Sequence, residues 1–168
     1  MNKRRLLIFG VLTAATVVMG SVKPASQRPN IIYILCDDLG YGDVGICNPD
    51  GKIPTPNMDR LGQEGMVFTD AHSGSAVCTP TRYGVLTGRY CWRSRKKSGV
   101  LSGYSSHLIE EGRMTVASLL KEHGYHTAYI GKWHMGWDWH KTGEAATGAG
   151  LNSITPVDFT KPIQNGPK

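Results

Sequence analysis

Six side chains with the potential for chemistry stand in three short segments of this 168-residue sequence. Paired carboxylates bind a hard divalent cation such as Ca²⁺ or Mg²⁺ through oxygen. Arginine, lysine and a helix N-terminus bind a phosphate-like or sulfate-like group. Together these residue types predict an anion site that also holds a metal ion. The residues are Asp37 and Asp38, then Cys78 and Arg82, then Lys132 and His134.

The elements before these residues predict how they are brought together. The run Ile31–Leu35 is continuously apolar and rich in β-branched residues, which is typical of a strand buried on both faces, and it leads into the Asp pair. Met66–Thr69 and Thr127–Ile130 are two further predicted strands, and the last runs directly into the Lys132 segment. Open α/β sheets bind ligands at the carboxyl ends of parallel strands. We therefore expect an α/β fold with a mostly parallel sheet flanked by helices.

Three short helices are predicted from their end signals. A Thr before a helix, a Pro in its first turn and a Gly after its last turn are typical helix boundaries. The second helix would place Cys78 at a positive helix end. The predicted helices follow Thr55 and stop at Gly65, run from near Cys78 to Gly88, and run from Val116 to His123 between Thr115 and Gly124.

The first 20 residues are predicted to be a signal peptide, and residues 21–28 a spacer. Three basic residues at positions 3 to 5 precede the uncharged apolar run Leu6–Val18 and then small residues. Removing residues 1–20 takes three of the 19 Lys and Arg and none of the 13 Asp and Glu, so the net charge falls from +6 to +3. The apolar run is shorter than the roughly 20 residues that span a bilayer. We expect an exported protein, periplasmic or secreted, with no stable membrane partner.

Composition limits the classes of protein to consider. The chain is 40% hydrophobic and 19% charged, with 21 Gly and 9 Pro. These values are typical of about one globular domain and exclude a disordered or collagen-like chain. A loop-rich enzyme domain fits them better than a coiled coil.

Four cysteines raise the question of cross-links and metal. In an exported chain they would by default suggest disulfides, for which three pairings can be written. The sequence has no Cys-x-x-Cys motif and no Cys/His cluster, so a structural zinc site is not expected. The cysteines are Cys36, Cys47, Cys78 and Cys91.

A basic run beside Trp92 suggests a different function class. Four basic residues at positions 93 to 97 could indicate nucleic-acid or heparin binding. They occupy one short loop and lack a second patch, so we expect a solvated loop near the substrate and no nucleic-acid partner. Trp133, Trp137 and Trp139 fit a sugar or aryl subsite and core packing equally well.

Two long motifs in this sequence resemble those of a known family. Ala76–Arg82 together with Leu86–Arg89 is similar to the first signature of the type I sulfatases, whose core is Cys-x-Pro-x-Arg. Gly124–His134 resembles the second signature along its whole length, and Pro29–Gly40 resembles the opening strand of the family. The resemblance covers about residues 28–136 and is closest to bacterial arylsulfatase-like members.

The resemblance implies a fold and a domain assignment. It implies an alkaline-phosphatase-like sheet flanked by helices, of which residues 29–168 would be the N-terminal part. No Asp-Asn pair of the kind that supplies further metal ligands in the family follows His134, and a second His and a further Lys of the family are missing too. The chain is therefore expected to be an N-terminal fragment of a sulfatase catalytic domain.

The resemblance also implies a reaction, namely hydrolysis of aryl or carbohydrate sulfate esters. A maturation enzyme would convert Cys78 to formylglycine, an aldehyde whose hydrate attacks sulfur. By the same resemblance, the metal ligands would be Asp37, Asp38 and the modified Cys78, holding Ca²⁺ or alternatively Mg²⁺. Arg82 would orient the hydrate, Lys132 would bridge the hydrate and the sulfate, and His134 would act as a base.

Two other functions stay open at this point. One is a phosphatase or phosphonate hydrolase of the alkaline phosphatase superfamily, which would share Asp-rich metal sites. The other is a non-catalytic binding protein or an inactive fragment, which predicts an unmodified Cys78 and no stabilisation by metal. The Cys-x-Pro-x-Arg motif favours the sulfatase.

Overall fold

The computed structural model describes residues 28–143 and 156–163. The predicted signal peptide and residues 21–27 of the predicted spacer lie outside the described residues. The part of the chain that is described contains no helix with the length and apolar character needed to cross a membrane. Its α-helices are α1 (Pro56–Glu64), α2 (Cys78–Thr87) and α3 (Val116–Glu122), with short 3₁₀ helices at Tyr41–Asp43 and Cys91–Arg93.

The ends of the three α-helices agree with the sequence predictions to within one residue, α3 ending at Glu122 where His123 was predicted. Helix α1 begins at a proline, and α2 ends at Gly88, whose φ of 64° is left-handed and whose N–H donates to the Gly84 carbonyl. Helix α3 begins after Thr115, whose hydroxyl accepts a hydrogen bond from the Ser118 N–H at 3.1 Å. These signals act within one turn, so they hold whatever the rest of the fold does.

Helix α2 is fixed in place by a small core. It contacts α3 and the 3₁₀ helix Cys91–Arg93. Tyr83, in the middle of α2, is fully buried, and its hydroxyl donates to the Glu110 carboxylate at 2.8 Å. A buried hydroxyl with a charged partner holds its helix in a defined rotation. The buried apolar residues around it are Cys91, Leu101, Leu108, Ile109 and Met135, with Leu86 and Trp133 packed against them.

The predicted parallel sheet does not form among the described residues, which contain no β-strand. One isolated antiparallel bridge joins Lys141 and Val157. The strands predicted at Ile31–Leu35, Met66–Thr69 and Thr127–Ile130 are therefore not seen, and the predicted sheet stays unconfirmed. Instead of being buried, these segments expose apolar side chains, with Ile130 at 95%. A strand needs a neighbouring strand for its backbone N–H and C=O groups, and the described residues provide none for these segments.

The chain divides into two units, residues 1–36 and 37–168. Residues 28–36, the described part of the first unit, have neither helix nor strand and are exposed. Cys36, which the strand prediction buries, is exposed as well. The helices, the core and the candidate site all belong to the second unit.

No disulfide joins the four cysteines, all of which are free thiols in the structure. Cys91 lies in the core, where its thiol donates to the Lys96 carbonyl at 3.6 Å. Burial raises the pKa of this thiol, with a smaller opposing effect from its contact with Ser94. The Cys91 side chain therefore acts as a packing residue.

Candidate active site

Cys78 is the first residue of α2, so it lies at the positive end of the helix. The preceding residue, Val77, has an extended backbone and offers no side-chain cap to the helix. Cys78 is half-buried. The first N–H groups of α2 therefore lie at Cys78, and a helix N-terminus favours a negatively charged group at such a point.

Asp37 joins two cations that come from distant parts of the sequence. The Arg82 Nη2 donates to the Asp37 Oδ1 at 2.8 Å, and the Lys132 Nζ donates to the Asp37 Oδ2 at 2.6 Å. Arg82 follows Cys78 by one helical turn, so the cysteine and both cations belong to one site. The structure thus brings Asp37, Arg82 and Lys132 together as the sequence predicts.

The guanidinium of Arg82 has two further partners on its other nitrogen. Its Nη1 donates to the Lys132 carbonyl at 2.6 Å and to the Tyr129 hydroxyl at 3.1 Å. The Tyr129 hydroxyl in turn donates to the same Lys132 carbonyl. Three acceptors therefore fix the plane of a side chain that is 6% exposed. Sequence reasoning missed Tyr129, whose only signal is its position three residues before Lys132.

The charges in this cluster support one another. The hydrogen bond from Lys132, followed by that from Arg82, lowers the pKa of Asp37. The hydrogen bond to Asp37 raises the pKa of Lys132 against a smaller opposing effect of burial, and the negative charge of Asp37 adds to the rise. Burial opposes the charge of Arg82, but its bonds to Asp37 and Tyr129 outweigh burial and raise its pKa. Two cations therefore face one carboxylate, which leaves positive charge for an anionic ligand.

His134 lies beside the start of α2. Its backbone carbonyl accepts a hydrogen bond from the Thr79 hydroxyl at 3.1 Å, and its ring Nε2 lies 2.8 Å from the Leu101 carbonyl. The φ of His134 is 53°, a left-handed value that is uncommon for a residue other than glycine. Such residues persist where surrounding contacts hold them, and they concentrate at functional sites. Sequence reasoning identified His134 but missed Thr79 and Leu101.

Comparison with known proteins identifies the family. The sulfatase family model matches residues 29–164 of the chain. The chain belongs to the sulfatase family. Over 111 residues it is 49% identical to an N-acetylgalactosamine-6-O-sulfatase of Bacteroides thetaiotaomicron, a match that covers 66% of this chain and 21% of that protein. Over 121 residues it is 45% identical to human steryl-sulfatase, covering 69% of this chain and 21% of the relative.

A solved structure extends the sulfatase comparison to three dimensions. It comes from work on the metabolism of multiple glycosaminoglycans by Bacteroides thetaiotaomicron, and it superposes with a TM-score of 0.62 at 45% identity. The match covers 68% of this chain and 25% of that one. This sulfatase chain therefore spans about a fifth to a quarter of the length of the relatives that it matches.

The described part of the sulfatase chain supplies only part of a metal site. It contains no cluster of three or more His, Cys, Asp or Glu side chains able to hold a metal ion. Asp38, with a φ of 58°, makes no hydrogen bond or ion pair with another described residue, and both oxygens of Asp37 face Arg82 and Lys132. Ca²⁺ takes 6 to 8 oxygen ligands. Two carboxylates fit in type but are too few, so Asp37, Asp38 and Cys78 stay predictions as metal ligands.

The basic loop of the sulfatase chain is less solvated than expected. Lys96 is buried at 6% exposure, Arg95 donates to the Ser106 carbonyl at 2.7 Å, and Lys97 donates to the Trp92 carbonyl at 3.0 Å. The expectation of a solvated loop is wrong for Lys96. The Arg95 bond joins this loop to the segment at Ser106, whereas the Lys97 bond lies within the loop.

The three tryptophans near His134 pack against other aromatic rings. The Trp133 and Trp137 centroids lie 5.9 Å apart, and Trp139 contacts Tyr104 edge to face at 5.6 Å. The Trp133 Nε1 also donates to the Gly136 carbonyl. Of the two interpretations left open by the sequence, packing is the one that these contacts favour.

Proposed function

We propose that this chain forms part of a sulfuric ester hydrolase of the arylsulfatase type, acting on aryl or carbohydrate sulfate esters. The observation that carries the proposal is the Asp37 carboxylate shared between Arg82 and Lys132 beside the start of α2. This arrangement concentrates positive charge next to Cys78, where an anionic ester group would bind. The sulfatases named above support the same class of substrate, since two of them are a sugar sulfatase and a steryl-sulfatase.

Cys78 is proposed as the precursor of formylglycine, formed by a maturation enzyme. The aldehyde supplies, as its hydrate, a nucleophile for sulfur and a second hydroxyl through which sulfate is released. Lys132 offsets the negative charge that grows on the sulfate oxygens, and its bond to Asp37 aims its Nζ. Arg82 holds the reacting group in orientation, since three acceptors fix its guanidinium plane.

His134 is proposed as the base that takes up a proton during release of sulfate. It lies next to the modified residue, because its carbonyl bonds to Thr79, which directly follows Cys78. A base must lie within hydrogen-bond reach of the proton that it removes, directly or through one water. The Thr79 contact supports that proximity.

A divalent cation, Ca²⁺ or alternatively Mg²⁺, is proposed to bind with Asp37, Asp38 and the modified Cys78 as ligands. It would polarise the sulfate oxygens when bound. The carboxylates are suitable donors for a hard cation, and the remaining ligands would come from residues outside those described. Phosphate ester hydrolysis by the same site is the alternative that the assay below separates.

The proposal also includes a fold and a location. The fold is an alkaline-phosphatase-like sheet, and the location is the periplasm or the exterior of the cell, reached by export. The exposed apolar side chains of Ile31–Leu35 and Met66–Phe68 support the sheet, because runs of this kind are normally covered in a finished fold. The basic and then apolar residues 1–20 support export.

The test compares sulfate and phosphate esters as substrates of a full-length enzyme that carries this sequence. We expect 4-nitrophenyl sulfate to be hydrolysed in preference to 4-nitrophenyl phosphate, and Cys78→Ala to abolish the activity. Cys47→Ala is the matched control, since it removes a half-buried thiol elsewhere and should leave the rate unchanged. Preference for the phosphate ester would support the phosphatase. An inactive enzyme whose Cys78 is fully modified would overturn the proposal.

A further inference from the structure

The side chain of Thr79 connects three separate parts of the chain. It is fully buried. Its hydroxyl donates to the His134 carbonyl at 3.1 Å and accepts from the Leu101 N–H at 3.2 Å. Those partners lie 55 and 22 positions away in the sequence. One hydroxyl therefore fixes the backbone of His134 relative to α2 and to the Leu101 loop.

The ring of His134 is held by the same loop. Its Nε2 lies 2.8 Å from the Leu101 carbonyl. A carbonyl oxygen only accepts, so Nε2 carries the hydrogen and the neutral ring has its lone pair on Nδ1. That Nδ1 is buried and has no hydrogen-bond partner among the described residues. Buried polar atoms normally have a hydrogen-bond partner, so a buried ring nitrogen without one needs an explanation. A reacting group that binds at Nδ1 would supply the missing partner.

The backbone that follows His134 is also held by a hydrogen bond. The Met135 carbonyl accepts from the Leu108 N–H at 2.8 Å, and Met135 is fully buried. His134 itself has the left-handed φ of 53°. Because a β-carbon disfavours this conformation, the ring direction depends on contacts that keep the backbone there. Thr79 supplies the contact on the α2 side.

We propose that Thr79 is a positioning residue for His134: its hydroxyl ties the His134 backbone to the Leu101 backbone, whose carbonyl holds Nε2 and so presents Nδ1 to the reacting group. This inference rests on the proposed function, because the direction of Nδ1 matters only if His134 transfers a proton. In that step the hydroxyl O–H bond would break and its proton would form an N–H bond at Nδ1, which makes the ring positively charged. The electron pair left on oxygen would form the aldehyde C=O, and the C–O bond to sulfate would break so that sulfate leaves with the electrons of that bond. The ring then returns the proton to water.

The experiment uses Thr79→Val and Thr79→Ser in the full-length enzyme, with sulfate ester turnover expressed per formylglycine determined by mass spectrometry. Valine keeps the shape but removes the hydroxyl, so kcat should fall by about 10-fold or more while KM changes little. Serine keeps the hydroxyl and should restore kcat to within about threefold of the parent. If Thr79→Val fails to fold, Thr79→Ala replaces it under the same criteria.

Thr87→Val is the matched control, because the Thr87 hydroxyl donates to the Tyr83 carbonyl within the same helix and away from His134. It should leave kcat unchanged. An unchanged kcat in Thr79→Val, or an equal loss in Thr87→Val, would overturn the proposal. So would a Thr79→Ser variant as impaired as Thr79→Val.

A second measurement keeps this inference separate from the proposed function. Long-range ¹H–¹⁵N spectra of histidine-labelled protein report which ring nitrogen carries the hydrogen, and His134→Gln assigns the signal. We expect the Nε2–H form in the parent and a mixture of forms in Thr79→Val. A parent enzyme that carries formylglycine but hydrolyses no sulfate ester would sink the proposed function, while an unchanged spectrum in Thr79→Val would sink the positioning role.

Discussion

Arg82 donates a hydrogen bond to Asp37 across 2.8 Å, although the two residues are 45 positions apart in the sequence. The Arg82 side chain is 6% exposed, whereas the Asp37 side chain is 40% exposed. The pair therefore has a buried cation and a solvated carboxylate. Removing the partner of a buried charge is more damaging than removing a surface pair, because the remaining charge stays out of water.

The first prediction concerns the pH dependence of stability. Since Lys132 and Arg82 lower the pKa of folded Asp37 below its ordinary value of 3.8, the pair stabilises the fold fully above that value. The contribution is lost as the pH falls through the lower folded pKa. We expect Asp37→Asn to be less stable at pH 7 and to lose less stability than the parent between pH 5 and pH 2. Urea unfolding monitored by circular dichroism at a series of pH values measures the free energy of unfolding of both proteins.

Asp50→Asn is the control for that experiment, because Asp50 is an exposed loop residue. Its acid dependence should follow that of the parent. Parallel acid curves for Asp37→Asn and the parent would contradict a stabilising role for the Asp37 charge.

The helices could be predicted because their signals are local. Thr115 caps α3 and Gly88 ends α2 as the residue types indicate, and neither depends on a distant partner. The segment Ile31–Leu35 shows the opposite case. Its apolar residues favour burial in a sheet, but a strand also needs hydrogen bonds from neighbouring segments. The described residues do not supply them, so the pattern alone did not give the observed conformation.

The contacts among the charged side chains of the candidate site were expected from the sequence. The contacts of two hydroxyl groups in the site were not expected. Asp37, Arg82 and Lys132 stand out in the sequence because their types bind anions and cations, and the structure brings them into contact. Tyr129 and Thr79 have ordinary positions in the sequence. Their importance comes from partners at least three and up to 55 positions away, which only the folded chain reveals.

The second prediction concerns the two cations in catalysis. Lys132→Ala in the full-length enzyme should lower kcat by on the order of 10² or more, as the loss of a charge-stabilising group does. Arg82→Lys should also be damaging, since an ammonium cannot replace a guanidinium with partners on both terminal nitrogens. Steady-state kinetics measure both. Lys121→Ala, which removes an exposed lysine of α3, is the control, and an effect of Lys132→Ala on KM alone would contradict its role.

The third prediction concerns the metal. In a full-length enzyme we expect calorimetry to show Ca²⁺ binding that Asp38→Ala weakens by at least about 10-fold, because a carboxylate ligand is lost. Asp50→Ala, which changes an exposed carboxylate elsewhere, should bind like the parent. Equal affinity in the parent and in Asp38→Ala would exclude Asp38 as a ligand.

The fourth prediction is that Cys78 becomes formylglycine in protein made with a competent maturation enzyme. The segment Cys78–Arg82 carries the Cys-x-Pro-x-Arg core of the first signature, and Cys78 is a free thiol that no disulfide protects. Trypsin should release Leu61–Arg82 as one peptide, since no Lys or Arg lies between. Mass spectrometry should find it lighter than the thiol form and reactive toward hydrazide probes.

The peptide Tyr90–Arg93 provides an internal control for this measurement, because it carries the buried thiol of Cys91 outside the motif. It should keep the mass of an unmodified cysteine in the same digest. Pro80→Ala, which breaks the motif while leaving Cys78 in place, should reduce the conversion of Cys78. A thiol at Cys78 in a host that matures other sulfatases would rule out the formylglycine mechanism for this chain, because an unmodified cysteine has no second hydroxyl through which to release sulfate.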